Sequence, residues 1–338
     1  MCRFDERDTI FSRMTLQPGT ERYDRYYGRR PEKKGVDDSL RTAPDGVFSR
    51  RLPEAALVES TFALITRMRD FVRGFEGEYT LPYTPEEGQT PEELTGFLKK
   101  TACSYGAVLT GAAATDERYA YSVRGRGQRH DRPVDDLLPH TFIYAFEMSV
   151  SEMRTAPGIR EAAEVATTYL KVAVPGLAIA AFLRSLGYKA VCHMDGESEL
   201  VLPPVAVRAG LGQIGRHGLL VNKTYGSRVR LGAVTTDAEL VHDGPVDFKL
   251  PKVCEVCRKC AELCPVQAIP RGSIIDDYPQ QIRSIDHEAC FSAWKKFGTD
   301  CGVCVSACPY SKVGGGDHSG ETPRPGEKDF LKAFMFRK

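Results

Sequence analysis

The sequence lacks an excess charge of either sign, a long apolar run and an export signal, and most of its length is poor in cysteine. Its 46 basic and 45 acidic residues leave a formal net charge of +1. No basic surplus is there to neutralise a phosphate backbone, so nucleic acid is not an expected partner. No stretch approaches the roughly 18 to 20 apolar residues of a membrane helix, so no membrane span is expected. The best run, Val172 to Leu183, is shorter, holds Pro175 and Gly176, and reads as a buried core helix. The N-terminus has no charged-then-apolar pattern. Arg29-Arg30 and Arg50-Arg51 run into Pro-Glu-Lys-Lys and Leu-Pro-Glu-Ala, not into an apolar segment, so a twin-arginine leader is not supported. The expected location is cytoplasmic, although a mature form trimmed of its leader would read the same.

Of the eleven cysteines, only Cys2, Cys103 and Cys192 fall outside the span from Cys254 to Cys308. A secreted disulfide scaffold would be short and cysteine-dense throughout. Eight cysteines gathered at one end of a long chain point to metal, and the three scattered ones read as ordinary thiols.

The 338 residues suffice for one large or two modest domains. Residues 1–52 are polar and arginine-rich and read as an extended arm, although Phe4, Phe11, Tyr23, Tyr26 and Tyr27 argue that it lies against something. Residues 53–242 turn globular. Pro53 to Arg73, Pro91 to Thr101 and Ile159 to Leu186 have helical spacing, the last ended by Gly187. Ala107 to Thr110, His140 to Val150, Lys189 to His193 and Val229 to Thr235 read as strands. Helices alternating with strands predict an α/β or α+β layered domain. Residues 243–318 shift to cysteine, glycine and proline, a second module organised by a cofactor. A tail, 319–338, ends in a short amphipathic piece, Phe330 to Phe336.

Cys254-x2-Cys257-x2-Cys260-x3-Cys264-Pro265 matches the bacterial ferredoxin run. A second run follows: Cys290, then Cys301-x2-Cys304-x3-Cys308-Pro309. Two residues between ligands let a tight loop wrap one face of a cubane. The last cysteine of each run sits on the following turn and points to the other cluster. Crossed ligation predicts one [4Fe–4S] cluster on Cys254, Cys257, Cys260 and Cys308. A second falls to Cys264, Cys290, Cys301 and Cys304, with Cys290 arriving on its own loop and ten residues separating it from Cys301. Four-thiolate zinc is the competing reading, but zinc ribbons seldom use this run, and here the C-x3-C-P ending occurs twice. Trp294, close after Cys290, is expected to shield the second cluster.

A P-loop and a D-x-H-x-x-G stretch, in which histidine replaces the lower base of cobalamin, are both absent. Gly210-Leu211-Gly212-Gln213-Ile214-Gly215 fits the dinucleotide pattern G-x-G-x-x-G, but no clear strand precedes it and Pro203-Pro204 lies just upstream. The longer segment Ala209 to Leu220, with Tyr225-Gly226-Ser227-Arg228-Val229-Arg230 after it, resembles the cobalamin-dependent reductive dehalogenases and, more distantly, epoxyqueuosine reductase. Arg3 to Arg13, Phe182 to Ala190 and the order of large domain followed by two ferredoxin runs carry the same resemblance over nearly the whole chain.

The resemblance implies a nitroreductase-like core holding base-off cobalamin, then a ferredoxin-like domain with two [4Fe–4S] clusters, one near the corrin and one near the surface. Gly210, Leu211, Gly212, Gly215, Arg216, His217 and Gly218 would line the corrin, the small glycines letting backbone come close. Tyr169, nineteen residues before Tyr188, falls where the family keeps its proton donor. Arg230 matches the arginine that stabilises the tyrosinate. Asp195 falls where relatives carry asparagine or lysine, and epoxyqueuosine reductase has its aspartate acid in this region. A tyrosine of pKa about 10 is a poor acid until a cation lowers it, and Arg230 would be that cation. The implied partners are a small organic substrate, halogenated or not, and a low-potential electron donor such as ferredoxin or flavodoxin; a homodimer stays open.

Each of these residues also has a plainer reading. Tyr169 could be a core aromatic, Arg230 could pair with Asp237, and Asp195-Gly196 is more often a turn than an acid. His193 and His217 suit packing or corrin contact better than metal ligation. Glu197 and Glu199 crowd the Asp195 loop, and an acidic pocket suits halide release poorly. Three functions are therefore weighed: reductive dehalogenation with Tyr169 and Arg230 as the proton-delivery pair; reduction of a non-halogenated substrate such as an epoxide, with Asp195 as principal acid; and a non-catalytic corrinoid or electron carrier.

Overall fold

A computed structural model describes residues 3–42, 53–74, 89–273 and 284–312. Cys2, Arg50-Arg51 and the tail 319–338 lie outside the described residues. The N-terminal segment is not an extended arm. It forms α1 (Ile10–Met14), α2 (Glu21–Arg29) and α3 (Pro31–Thr42). Tyr23, Tyr26 and Tyr27 recur at helical spacing, so one face of α2 buries all three rings against Leu16. Their hydroxyls reach Asp38, Asp8 and Asp37. That acid for every hydroxyl is why so polar a segment can pack.

Next come α4 (Pro53–Gly74) and α5 (Pro91–Ser104). Thr90 and Glu93 close a capping box at the start of α5. Strand β1 (Leu109–Ala114) follows, two residues later than the sequence pattern suggests, and then β2 (His140–Glu147). After the single turn α6 (Val150–Met153) comes α7 (Ile159–Ser185), 27 residues long. By length and composition α7 could cross a membrane, a correction to the reading that no stretch comes close. In the fold it is the central core helix, packed on β2, β6 (Val229–Thr236), β3 (Ala190–His193) and α4. Helix α8 (Leu202–Arg208) and the short strands β4 (Gln213–Ile214) and β5 (Leu220–Val221) precede β6 in the chain.

The main sheet runs β1-β2-β6-β3 with every pairing antiparallel, which fixes the mixed α/β class. Strand β2 is buried on both faces, and alternation decides which side each residue serves. Phe142, Tyr144 and Phe146 meet α5 and α7 on one side; Ile143 and Ala145 meet α8 and the glycine loop on the other. The segment 209–215 starts after a helix and has no preceding strand, so its G-x-G-x-x-G is not a dinucleotide turn. Beyond β6 lie α9 (Leu250–Cys257), α10 (Lys259–Glu262), α11 (His287–Phe297) and α12 (Val303–Ala307), short pieces carrying the cysteines.

Candidate redox site

Two glycines set the geometry of the site. At Gly176 of α7 a Cβ would come 2.5 Å from the Tyr144 hydroxyl and 2.7 Å from Cys192 Sγ; at Gly232 of β6 it would come 2.6 Å from Val172 Cγ1 and from the Tyr144 hydroxyl. The glycines of helix and strand thus make room for the Tyr144 ring, Cys192 and Val172 in a close approach of α7 to β6. Tyr144 donates its hydroxyl to the Val172 carbonyl at 2.8 Å, giving that buried phenol its partner. Tyr169 lies one turn before Val172 on α7. Arg230 lies two residues before Gly232, on the same face of β6. The close approach therefore brings Arg230 over the Tyr169 ring, 4.8 Å from its centroid, a cation–π contact.

Both groups are set deep yet remain half-buried by accessible surface, so they face an internal space. Arg230 Nε has no hydrogen-bond partner, and Asp237, its alternative partner, instead accepts the Lys189 amide at 2.7 Å. Burial pushes the Tyr169 phenol up while Arg230 pulls it down; burial wins. Arg230 is thus not enough to bring the phenol below its ordinary range. Burial keeps Tyr169 protonated at rest, beside a cation that can stabilise the phenolate.

Strand β3 pairs with β6 so that His193 faces Ala233; continuing that register leads toward Arg230. Asp195 sits in the tight turn that follows, where Met194 and Glu197 exchange backbone hydrogen bonds of 3.0 Å and Gly196 has φ +67°. Asp195 lies within electrostatic reach of Tyr169 and Arg230. Its turn is pinned from two sides. His193, fully buried, accepts the Glu199 amide at Nδ1 (3.2 Å) and places Nε2 3.0 Å from Thr235 Oγ1, packing and not metal ligation. Arg124 pairs with Glu199, and Arg129 reaches Glu197 at 3.2 Å and Glu199 at 3.5 Å. The two glutamates that suggested an acidic pocket are neutralised. A further arginine, Arg126, lies within reach of Asp195 and Tyr169.

The cysteines fall into two sets. Cys254, Cys257, Cys260 and Cys308 line one small cavity together. Cys290, Cys301, Cys304 and Cys264 influence one another electrostatically. Among the described residues no group of three or more Cys, His, Asp or Glu converges on a single-ion position. Cys103 is exposed and Cys192 buried, consistent with ordinary thiols.

The second set reaches the Tyr169–Arg230 pair through α7. Cys304 and Tyr169 both pack against Met148, Met153, Val165 and Val305. In the first turn of α7, Glu161 is fully buried. Neither of its carboxyl oxygens makes a hydrogen bond of ordinary geometry, and Oε1 lies directly against Gly302, φ +57°, between Cys301 and Cys304. Burial and the neighbouring Asp300 carboxylate push Glu161 up to about 9. The sequence hid Glu161, because an acid in a first helical turn is ordinary. Arg126 was hidden in an aperiodic Gly-Arg-Gly-Gln-Arg loop. Asp300, one residue before Cys301, was the one of the three with a usable signal.

The glycine-rich segment packs closely on the chain itself. A side chain at Gly212 would meet the Val221 carbonyl, at Gly210 (φ +77°) the Gly244 carbonyl at 2.6 Å, and at Gly215 the Val221 and His217 side chains. These glycines serve the chain's own close approaches. Leu211 is buried in the core, and Gly218 takes φ +76° in the turn before β5. Arg216 and His217, expected at a corrin, line the Cys254 cavity. The Arg216 guanidinium donates to the carbonyls of Cys254 (3.1 and 3.2 Å), Pro270 (3.0 Å) and Gly272 (2.6 Å). Burial pushes His217 down to about 4, leaving it neutral.

Solved reductive dehalogenases share this fold. One, for which B12-dependent dehalogenation is described, has a TM-score of 0.64 at 24% identity, covering 81% of this chain and 41% of that one. A catabolic reductive dehalogenase scores 0.61 at 23% identity with the same coverage. No protein-family model matches the chain. Tetrachloroethene reductive dehalogenase of Desulfitobacterium hafniense is 32% identical over 274 residues, 67% of this chain and 49% of the relative. That of Sulfurospirillum multivorans is 30% identical over 263 residues, 68% of this chain and 52% of the relative. Epoxyqueuosine reductase of Lactococcus garvieae is 36% identical over 118 residues, a third of each chain. The chain is a relative of the reductive dehalogenases and a more distant one of epoxyqueuosine reductase. It spans about half the length of the curated dehalogenases it matches.

Proposed function

We propose that this chain is an oxidoreductase of the reductive dehalogenase type, replacing an organic halogen by hydrogen. The observation that carries this reading is the Arg230 guanidinium over the Tyr169 ring, above an apolar cluster that also holds Cys304. In this reading the α/β core is nitroreductase-like and holds base-off cobalamin, and residues 243–318 form a ferredoxin-like domain. The orphaned Arg230 Nε and the half-buried faces of Tyr169 and Asp195 fit a group or substrate bound in the internal space, and the two cysteine sets fit two cubanes. Cobalamin would supply strongly reducing cobalt, and [4Fe–4S] clusters would supply single electrons.

The chain's own residues do the rest. Tyr169 holds a proton at its phenolic oxygen and delivers it to the carbon that loses halogen. Arg230 stabilises the phenolate left behind. Asp195, fixed in its pinned turn, modifies the field at the phenol. Cys254, Cys257, Cys260 and Cys308 would hold one cluster, and Cys264, Cys290, Cys301 and Cys304 the other, with Cys304 packed on the same apolar cluster as Tyr169. Electrons would enter from a low-potential carrier such as ferredoxin or flavodoxin, and the substrate is a small halogenated organic compound.

The test is anaerobic reconstitution with corrinoid and iron–sulfide, followed by turnover of halogenated aromatics and alkanes with a low-potential reductant. Corrinoid absorbance, about eight irons per chain and halide release support the proposal. A chain that takes up iron but no corrinoid overturns it.

A further inference from the structure

Cys290 stands apart from its fellow ligands in sequence, and its helix α11 is held by the N-terminal segment. Glu288, two residues before it, accepts from Arg13 Nη2 and from Lys33 Nζ, each at 2.7 Å. One turn beyond Glu288, Phe291 packs with Ile10 and Leu40. Phe11 meets Phe291 edge-on at 6.0 Å and Trp294 at 5.5 Å. Glu288, Phe291 and Trp294 follow helical spacing, so one face of α11 is given to this contact.

Arg13 is the centre of it. Its side chain is 1% exposed, with the fully buried Asp37 3.5 Å away. Asp37 accepts the Tyr27 hydroxyl at 2.8 Å, and Arg41 donates to the Arg13 carbonyl at 2.6 Å. Burying an arginine among acids is costly, and apolar side chains of like volume would hold two helices together as well. What an ion pair adds is a fixed register and direction, useful where one thiol must sit within a few tenths of an ångström.

The other end of the same segment is tied just as firmly beside Asp195. Glu6 accepts the Gly125 amide at 2.7 Å and Arg126 Nε at 2.8 Å, Arg7 reaches Asp131 at 2.9 Å, and Arg3 donates to the Val134 carbonyl at 2.6 Å. A Cβ at Gly125 would lie 2.5 Å from Glu6 backbone. The segment therefore runs from the loop beside Tyr169 to the helix of Cys290.

We infer that the N-terminal segment is a clasp that positions Cys290 for the second cluster, with Arg13 as its positioning residue. This rests on the reading that Cys290 ligates iron. It also gives Trp294 a partner, since its ring packs at a tilt against Phe11 in the clasp.

The experiment compares reconstituted wild type, Arg13→Met, Arg13→Lys and Phe11→Ala by iron content, chelator release and electron paramagnetic resonance of the dithionite-reduced protein. Arg13→Met should drop from about eight irons to about four and lose the spin coupling between clusters, leaving one isolated signal. Arg13→Lys, which keeps a cation for Glu288, should restore the second cluster. Phe11 is 44% exposed, so its loss spares the core; Phe11→Ala should release iron from one cluster to chelator faster than wild type. If Arg13→Met does not fold by circular dichroism, Phe11→Ala decides alone. Variants with full iron, coupled spectra and wild-type release overturn the clasp. A wild type that never reaches about eight irons overturns the ligation reading instead.

Discussion

The Arg230 guanidinium lies 4.8 Å from the centre of the Tyr169 ring, and its Nε is unpartnered. A cation so placed favours the phenolate only once the proton has gone. Tyr169→Phe is therefore expected to abolish halide release, by about two orders of magnitude or more, with corrinoid and iron content unchanged. Arg230→Met should leave the phenol with burial alone, so activity falls and its pH dependence moves upward. Asp195→Asn should be mild. Steady-state rates against pH for the three variants check this; a fully active Tyr169→Phe would remove the tyrosine from the chemistry.

The approach of α7 to β6 has its own test. Gly232→Ala puts a methyl group 2.6 Å from Val172 Cγ1 and the Tyr144 hydroxyl, and neither can step aside within a packed core. Overpacking of this kind costs about 1–3 kcal/mol. The helix must lift or slide, carrying Tyr169 off Arg230. Denaturant melts should show the loss of stability, and the turnover of the folded fraction should fall as well. Unchanged turnover per folded molecule would mean the close approach serves packing only.

The parts of this site that showed in the sequence are those with a local signature. The cysteine runs carry their own spacing, and α7, β3 and β6 carry their periodicity within a residue of where they form, while β2 starts at His140 as read but ends at Glu147, three residues early. Other parts depend on partners far away in the chain. Glu197 and Glu199 read as an acidic pocket because Arg124 and Arg129 lie about 70 residues earlier. The arm of residues 1–52 read as extended because its apolar face is built of tyrosines, whose hydroxyls need Asp8, Asp37 and Asp38 before they can be buried. Nothing local to Gly210, Gly212 and Gly215 reveals that Gly244 and Val221 pack against them.

Glu161 ties stability to alkaline pH. Burial and the neighbouring Asp300 carboxyl hold it well above the ordinary carboxyl range, so over a window above about pH 4.3 the folded chain holds a proton that the unfolded chain has lost. Stability must fall as pH rises through that window. Glu161→Gln keeps the shape and removes the titration. Urea unfolding at pH 6 and pH 8.5 should show wild type losing stability between the two and the glutamine variant losing less. Equal slopes would show that Glu161 is ionised in the fold.

His193 works in the opposite direction. Fully buried, it is pushed down to about 4 by desolvation, while the unfolded chain has an ordinary imidazole near pH 6.5. Between those values the unfolded chain binds the extra proton, so stability is lost as pH falls from about 6.5 toward about 4, on the order of 3 kcal/mol in all. Protonation would also end acceptance of the Glu199 amide at Nδ1, so the pinned turn that carries Asp195 should loosen in the same range. His193→Gln can accept that amide and donate to Thr235 without titrating. Hydrogen exchange of residues 194–199 at pH 5 should therefore rise in wild type and stay flat in the variant. The same rise in both would place the acid sensitivity of this turn elsewhere.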